Sequence, residues 1–462
     1  MKNPTVAGEK PTVAVINHGC KLNQFEGESI AYSLERAGFE VIGTGPGVAP
    51  SRGHGDHEED GSLKGKDVQN GCRKPDIIIV NSCTVTGKSD RKSRHSVLQA
   101  ARRLAEDGIL IVTGCYAETD PDDLRKIERV DLVIGHRNKA LIPDILCNRY
   151  GKTASPVKSD ASVFDFRDPA PSRSRAFVKV QDGCDMRCSY CKVPYARGAS
   201  QSRSDRDVID AVREIVANGY HEAVLTGVNL GAYNYGGARL HTLISRIFER
   251  VRGDYRLRLS SIEPGFFTDM LVDLIAQCPN IVPHFHIPLQ SGSDRLLRLM
   301  KRPYTSDIYL DIVYRLRSAR PESHIAMDVM VGFPTETVDD FKATERVIRN
   351  SECASLHVFR YSPRKETVAA LLRNDVSYPE KSERSRRLIE LGGTLNYIYR
   401  KRFLGAVRDT IVQQHGKKYE GITDNYIRVQ LTPTCGMQKK RCSVRIVGVY
   451  EKKTTGEIVT AF

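Results

Sequence analysis

The chain has 462 residues, 40% of them hydrophobic, and a formal net charge of +14. That length predicts about two to four domains, and the lack of any run of roughly eighteen apolar residues excludes a membrane-spanning helix. The opening stretch MKNPTVAGEKPTVAVINHGC has no apolar centre of a secretory kind. The expected location is the cytoplasm, where 12 cysteines stay reduced and clustered ones read as metal or redox ligands.

From Pro11 to about Tyr150, apolar runs alternate with helical stretches. TVAVIN (Thr12–Asn17), DIIIV (Asp76–Val80), ILIVTG (Ile109–Gly114) and DLVIG (Asp131–Gly135) read as buried parallel strands. GESIAYSLERAG and SDRKSRHSVLQAARRLAEDG are the helices between them, so residues 11–150 are expected to form a parallel-sheet α/β domain. The Gly- and charge-rich stretch Gly43–Gly71 has little to bury and reads as a mobile loop.

Residues 151–175 form a linker, and a second α/β series follows over 176–395. Its strands are AFVKV, EAVLTGV, RLRLSSI, PHFHIPL, HIAMDVMVG and ASLHVFR. Helices separate them; SDRDVIDAVREIVANG has Ser204 as its N-cap and Gly219 just past its end. Six strand–helix units predict a partial (β/α)6 barrel with a lateral opening for a large substrate.

A basic helix, PEKSERSRRLIELGGTLNYIYRKRFLG, leads into residues 396–462, where short strands joined by turns predict a small OB-like β-barrel. Tyr397–Phe462 carries 13 Lys/Arg against 5 Asp/Glu, a balance of 13 − 5 = +8. That excess suits a polyanion such as nucleic acid. It also suits a basic soluble protein with no such partner.

Two cysteine sets carry the chemistry. DGCDMRCSYCKVPYARG holds Cys184, Cys188 and Cys191 in C-x3-C-x2-C spacing on the loop after the first barrel strand, the end where barrel enzymes place their sites. Three thiolates can hold three irons of a [4Fe–4S] cluster and leave the fourth for a small molecule. The alternative is a zinc knuckle awaiting a distant fourth ligand. Cys20, Cys83 and Cys115 are far apart in sequence, yet each follows the end of an apolar strand. A parallel sheet gathers such positions on one rim, which predicts a second three-thiolate cluster. Cys72, Cys147, Cys278, Cys353, Cys435 and Cys442 show no such arrangement; Cys435 and Cys442 read as free thiols or a metal-binding pair.

These residues resemble the radical S-adenosylmethionine methylthiotransferases over nearly the whole chain. The match includes GCKLNQFE, NSCTVT, TGCYAE, QDGCDMRCSYCKVPYARG, HFHIPLQSGSDRLLRLMKR and GFPTETVDDF. Within that family GCKLNQ, NSCTVT and CSYCKVPYARG are most similar to the branch acting on N6-threonylcarbamoyladenosine at position 37 of tRNA. The resemblance implies a methylthiotransferase N-terminal domain, a radical SAM core and a TRAM RNA-binding domain. It implies two [4Fe–4S] clusters and two molecules of S-adenosylmethionine per turnover. The cluster on Cys184, Cys188 and Cys191 would cleave one of these to a 5′-deoxyadenosyl radical that takes hydrogen from adenine C2. The auxiliary cluster on Cys20, Cys83 and Cys115 would supply the methylthio group. A one-electron donor such as flavodoxin or ferredoxin is implied, and the sulfur source is left open.

The resemblance also implies cofactor contacts from Tyr190, Asn229, Glu263, Gln290, Asp328 and Arg203, each of the three acidic or amide barrel positions (Glu263, Gln290, Asp328) being equally readable as an internal hydrogen-bond partner. Arg197 and Arg203 are expected to meet cofactor carboxylate or RNA phosphate, and Tyr419 and Tyr426 to stack on bases or pack in the small barrel. The anticodon loop presents an unpaired adenine to such a site. Two departures from the family pattern stand out: the long Gly43–Gly71 insertion, and Lys365–Glu366 where glycine is usual, which strains Glu366 if that position needs positive φ. Alternatives are an isopentenyladenosine-37 or ribosomal-protein aspartate target, or a zinc-dependent RNA-binding protein without catalysis.

Overall fold

The structure, a computed structural model, describes residues 10–44, 74–152, 162–166, 168, 174–415, 418–432 and 440–461. It divides into two compact units, Met1–Ala170 with Lys192–Ala199, and Pro171–Cys191 with Ser200–Phe462. Among the described residues no helix is long and apolar enough to cross a membrane.

The first unit is a five-stranded parallel sheet of β1 (Thr12–Asn17), β2 (Glu40–Thr44), β3 (Ile77–Ser82), β4 (Ile109–Gly114) and β5 (Leu132–Ile134). Its order is β2-β1-β3-β4-β5. Every residue of β1, β3 and β4 is buried, and helices cover both faces, with Val13, Val15 and Ile79 in one core and Ile16, Ile78 and Val80 in the other. A strand buried on both faces loses the alternation of a half-exposed one and becomes a continuous apolar run. The register sets Asn17 against Asn81 and Ser82 against Gly114. Three adjacent strands therefore end level, one residue before Cys83 and Cys115 and three before Cys20. Strand β2 had no counterpart among the expected strands; EVIGT is short and runs into the charged insertion, whose residues 45–71 lie outside the described ones.

The second unit begins with six strands: β6 (Ala176–Lys179), β7 (Glu222–Thr226), β8 (Arg256–Leu259), β9 (His284–His286), β10 (His324–Val331) and β11 (Ser355–Arg360). Two parallel sheets, β8-β7-β6 and β9-β10-β11, are joined where Val282 N–H donates to the Leu257 carbonyl (2.9 Å) and Ile262 N–H to that of His286 (3.0 Å). Among the described residues no ladder joins β6 to β11, so the barrel is an open arc. The expected caps are present on the helix Asp205–Ala217: Ser204 Oγ accepts from Asp207 N–H at 3.0 Å, and Gly219 has φ +78°.

The helix Tyr378–Lys401 leads to a closed barrel of β12 (Val407–His415), β13 (Lys418–Thr423), β14 (Arg428–Leu431), β15 (Arg441–Val449) and β16 (Thr454–Ala461), in the order β12-β13-β14-β16-β15. The β13–β14 turn meets the amino ends of the six-strand arc. There Arg256 and Arg258 grip Glu222 from β8 (2.8 and 2.7 Å) and donate to the carbonyls of Asp409, Ile422, Asp424 and Thr423 at 3.0–3.3 Å. Tyr426, at φ +63°, lies on His284 with ring centres 4.0 Å apart and under the Arg258 guanidinium. Its ring thus packs against the protein, the packing rather than the stacking arm of the expectation. Tyr419 likewise packs against the core of the small barrel.

Candidate functional site

In the first unit, the loops after β1, β3 and β4 bring Cys20, Cys83 and Cys115 to one edge. Gly19, just before Cys20, has φ +93°, and a Cβ there would stand 2.6 Å from Cys83 Sγ. Gly114, just before Cys115, has φ +96°, and a Cβ would stand 2.3 Å from the Ser82 carbonyl oxygen. Only glycine permits both the backbone turn and the approach. Burial, then the proximity of Cys20, push the Cys83 thiol up to about 12. Burial raises Cys115 too, with Arg197 and Lys139 opposing. Three thiols on one rim, with His18 Nε2 on the loop before Cys20 lacking a hydrogen-bond partner among the described residues, are a donor set that a metal cluster fits.

Asn23 and Asn81 brace the three loops from below. Asn23 Nδ2 donates to the carbonyls of His18 (2.8 Å) and Ser82 (2.9 Å), and Asn81 Nδ2 to that of Asn23 (2.8 Å). Arg197 reaches Asn23 Oδ1 at 2.7 Å and Glu26 Oε1 at 3.2 Å, and Lys139 Nζ pairs with Glu26. All these side chains are fully buried. Arg197 is therefore held inside the first unit rather than offered to RNA phosphate or a cofactor carboxylate, a correction to the expectation. Lys139 and Asn81 went unrecognised in the sequence because each lies outside any cysteine spacing; Glu26 and Asn23 stand within GCKLNQFE, and that motif was their signal.

In the second unit, Cys184, Cys188 and Cys191 are half-buried on the loop after β6. Ser189 N–H donates to the Met300 carbonyl (3.1 Å), and Ala369 N–H to that of Ser189 (2.7 Å), fixing the loop at two points. Burial, then Cys188 and Glu263, raise the Cys184 thiol, a backbone N–H opposing. Arg302 donates to Cys188 Sγ at 3.1 Å and pairs with Glu263. Ser189 Oγ is buried with no hydrogen-bond partner among the described residues. Three thiols, a guanidinium on one sulfur and an unmet hydroxyl fit an iron–sulfur cluster.

The remaining expected residues fall around this loop and barrel. Tyr190 is partly buried and packs against the cluster of Met300, Phe333 and Tyr361, and desolvation raises its phenol well above the ordinary value despite Arg302. Asn229 follows β7; its N–H donates to Gln181 Oε1 (3.0 Å), and its Oδ1 accepts from Glu263 N–H (3.4 Å). Burial pushes the Glu263 carboxyl up against the pull of Arg302. Gln290 takes φ +64°, and its N–H donates to the Asp328 carbonyl (2.8 Å). Asp328 pairs with His286 (3.0 Å) and His357 (3.1 Å), whose hydrogen bonds outweigh burial and hold its carboxyl well below the usual range. Arg203 follows the second edge of the cysteine loop, its N–H on the Val180 carbonyl at 2.9 Å. Sequence reasoning passed over Arg302, although it lies in the quoted RLLRLMKR, and the two histidines, which read as strand residues.

Glu366 adopts φ +69°, so the position where glycine is usual does require the left-handed region. Cys147, Cys353 and Cys442 are buried in cores; Cys435, its suggested partner, lies outside the described residues.

Comparison with known proteins completes the picture. Residues 178–348 match the Radical SAM superfamily, and residues 61–135 match Uncharacterized protein family UPF0004. The chain is 34% identical to Threonylcarbamoyladenosine tRNA methylthiotransferase MtaB of Bacillus subtilis (strain 168), over 97% of this chain and 96% of that protein. It is 31% identical to tRNA-2-methylthio-N(6)-dimethylallyladenosine synthase of Cutibacterium acnes, over 89% of this chain and 81% of that one. The radical S-adenosylmethionine methyltransferase TsrM of Kitasatospora setae shares the fold, with a TM-score of 0.55 at 15% identity over 79% of this chain and 74% of that chain.

Proposed function

The chain belongs to the radical S-adenosylmethionine tRNA methylthiotransferase family, and from that premise we propose that it converts N6-threonylcarbamoyladenosine at position 37 of tRNA to the 2-methylthio derivative. Family membership makes it an enzyme that uses S-adenosylmethionine and a [4Fe–4S] cluster. The observation that carries the finer reading is full-length similarity to a protein named for that nucleoside, together with two separate three-cysteine sites.

Cys184, Cys188 and Cys191 would hold one cluster and Cys20, Cys83 and Cys115 the other. Bound there, the two clusters and two molecules of S-adenosylmethionine supply one-electron radical chemistry and the methylated sulfur. The chain's own residues bind, orient and exclude water. Asn229 and Glu263, past the carboxyl ends of β7 and β8, are the polar groups for the amino-acid end of S-adenosylmethionine, and Tyr190, Gln290, Asp328 and Arg203 complete the cofactor contacts. Arg302 orients Glu263 and Cys188 at once. At the amino ends of the same strands the Glu222–Arg256–Arg258 group is buried, and Tyr426 packs on His284 beside it. The division of labour follows the sequence: 11–150 for the auxiliary cluster, 176–395 for the radical chemistry and 396–462 for RNA. A one-electron donor such as flavodoxin or ferredoxin acts as partner, and the cytoplasm is the site of action.

Nucleoside mass spectrometry of total tRNA from cells with and without this gene tests the reading. Loss of 2-methylthio-N6-threonylcarbamoyladenosine with build-up of its unthiolated precursor is expected. Loss of the dimethylallyl counterpart instead would move the chain to the other branch.

A further inference from the structure

Arg197 belongs in sequence to the C-x3-C-x2-C motif, six residues past Cys191, yet it is built into the first unit. Its guanidinium is 3% exposed as a residue and makes three contacts at 2.7–3.3 Å, to Asn23 Oδ1 and both oxygens of Glu26. Through Asn23 it bears on His18 and Ser82, the backbone beside Cys20 and Cys83. Asn81, which receives Lys139 Nζ at 3.4 Å, has its Oδ1 2.7 Å from where a Gly114 Cβ would stand, beside Cys115. Asn23 thus holds the backbone just before Cys20 and Cys83, Asn81 fills the space beside Gly114 before Cys115, and a buried cation holds each asparagine.

A merely structural network of this kind is hard to justify. Burying a guanidinium and an ammonium costs several kcal/mol each, on the order of what an apolar replacement would avoid. The arrangement makes sense if something anionic occupies the cysteine rim. Arg197 and Lys139 share the single carboxylate of Glu26, so these three side chains together carry one net positive charge. Three thiolates and bridging sulfides are anionic, and charge and hydrogen bonding around such a cluster set its potential.

We infer that Arg197, with Lys139, is a positioning residue for the auxiliary cluster on Cys20, Cys83 and Cys115: an arginine of one cysteine motif sets the loop geometry and the reduction potential at the other. This rests on the cluster assignment proposed above.

The experiment uses the full chain carrying Cys184→Ala, Cys188→Ala and Cys191→Ala, in which only the auxiliary rim can bind iron. After anaerobic reconstitution with iron and sulfide, this background holds about four irons and gives a reducible [4Fe–4S] signal in electron paramagnetic resonance. No iron in this background means that the cluster assignment itself fails. Given iron, Arg197→Met shifts the midpoint potential to a more negative value, because the reduced cluster carries the extra negative charge that the arginine favours. Arg197→Lys keeps the charge but not the forked contact, so it recovers the potential and binds iron less tightly. Should Arg197→Met fail to fold, as judged by circular dichroism, Lys139→Met reads the same shift. Iron retained with an unchanged potential in the charge-removing variant overturns the inference.

Discussion

The two cysteine sites solve one problem in opposite ways. On the radical loop, three thiols come from eight consecutive residues, Cys184 to Cys191, and are half-buried. On the first unit's rim, they come from three strand ends spread over Cys20 to Cys115, and two are fully buried. The loop site is specified locally and tied down by backbone hydrogen bonds at Ser189. The rim site exists only once β1, β3 and β4 have paired in register. One is a motif; the other is a property of the fold.

Removing ligands breaks the comparison most severely. Cys184→Ala should abolish cleavage of S-adenosylmethionine to 5′-deoxyadenosine. Cys83→Ala should abolish methylthio transfer while some cleavage persists, both read by chromatography of the products. Equal loss of cleavage in both would mean that the sites do not have separate roles.

That contrast also explains what could be read beforehand. Strands β1, β3 and β4 were legible because burial on both faces leaves unbroken apolar runs, and β7 of the arc for the same reason; β11, intermediate or exposed at every position, was not read from burial. The loop cysteines were legible from spacing alone. The rim cysteines needed a topological argument. What escaped were pairings that no spacing encodes: Arg197 with Glu26, Arg302 with Cys188, and Tyr426 with His284. An arginine in a motif reads as a ligand for phosphate, and a tyrosine in a small barrel as either a stacking platform or a packing group, until tertiary partners decide. Glu366 was the reverse case, where an unusual residue flagged a positive φ that the backbone does adopt.

A backbone change should separate the sites more gently. Gly114→Ala forces a Cβ against the Ser82 carbonyl at φ +96°, a strain of about 1–3 kcal/mol. It should lower the melting temperature and cost the rim its iron while the loop keeps its own, as shown by iron analysis in each cysteine-deleted background. Arg302→Met is the counterpart on the loop. Losing a charged hydrogen bond to Cys188 should cost about 1.5–3 kcal/mol and weaken S-adenosylmethionine binding, measured by equilibrium dialysis, without touching the rim.

The last effect is in pH and shows only at the alkaline end. In the metal-free chain Cys83 keeps its proton up to about 12, whereas an unfolded thiol ionises near its reference value of about 8.5. The unfolded state then binds fewer protons, so stability is whole below that reference value and falls as pH rises toward 12, by at most about 1.4 kcal/mol per unit. Cys83→Ser should flatten that alkaline limb in a denaturant titration.

The central claim, two independent three-thiolate iron–sulfur sites in one chain, is tested most directly by iron, sulfide and zinc analysis with Mössbauer spectroscopy on anaerobically reconstituted protein. The account predicts about eight irons per chain, with half lost when either cysteine set is replaced by alanine and the other half unchanged. Zinc without labile sulfide, or a single set whose removal takes all the iron, would contradict it.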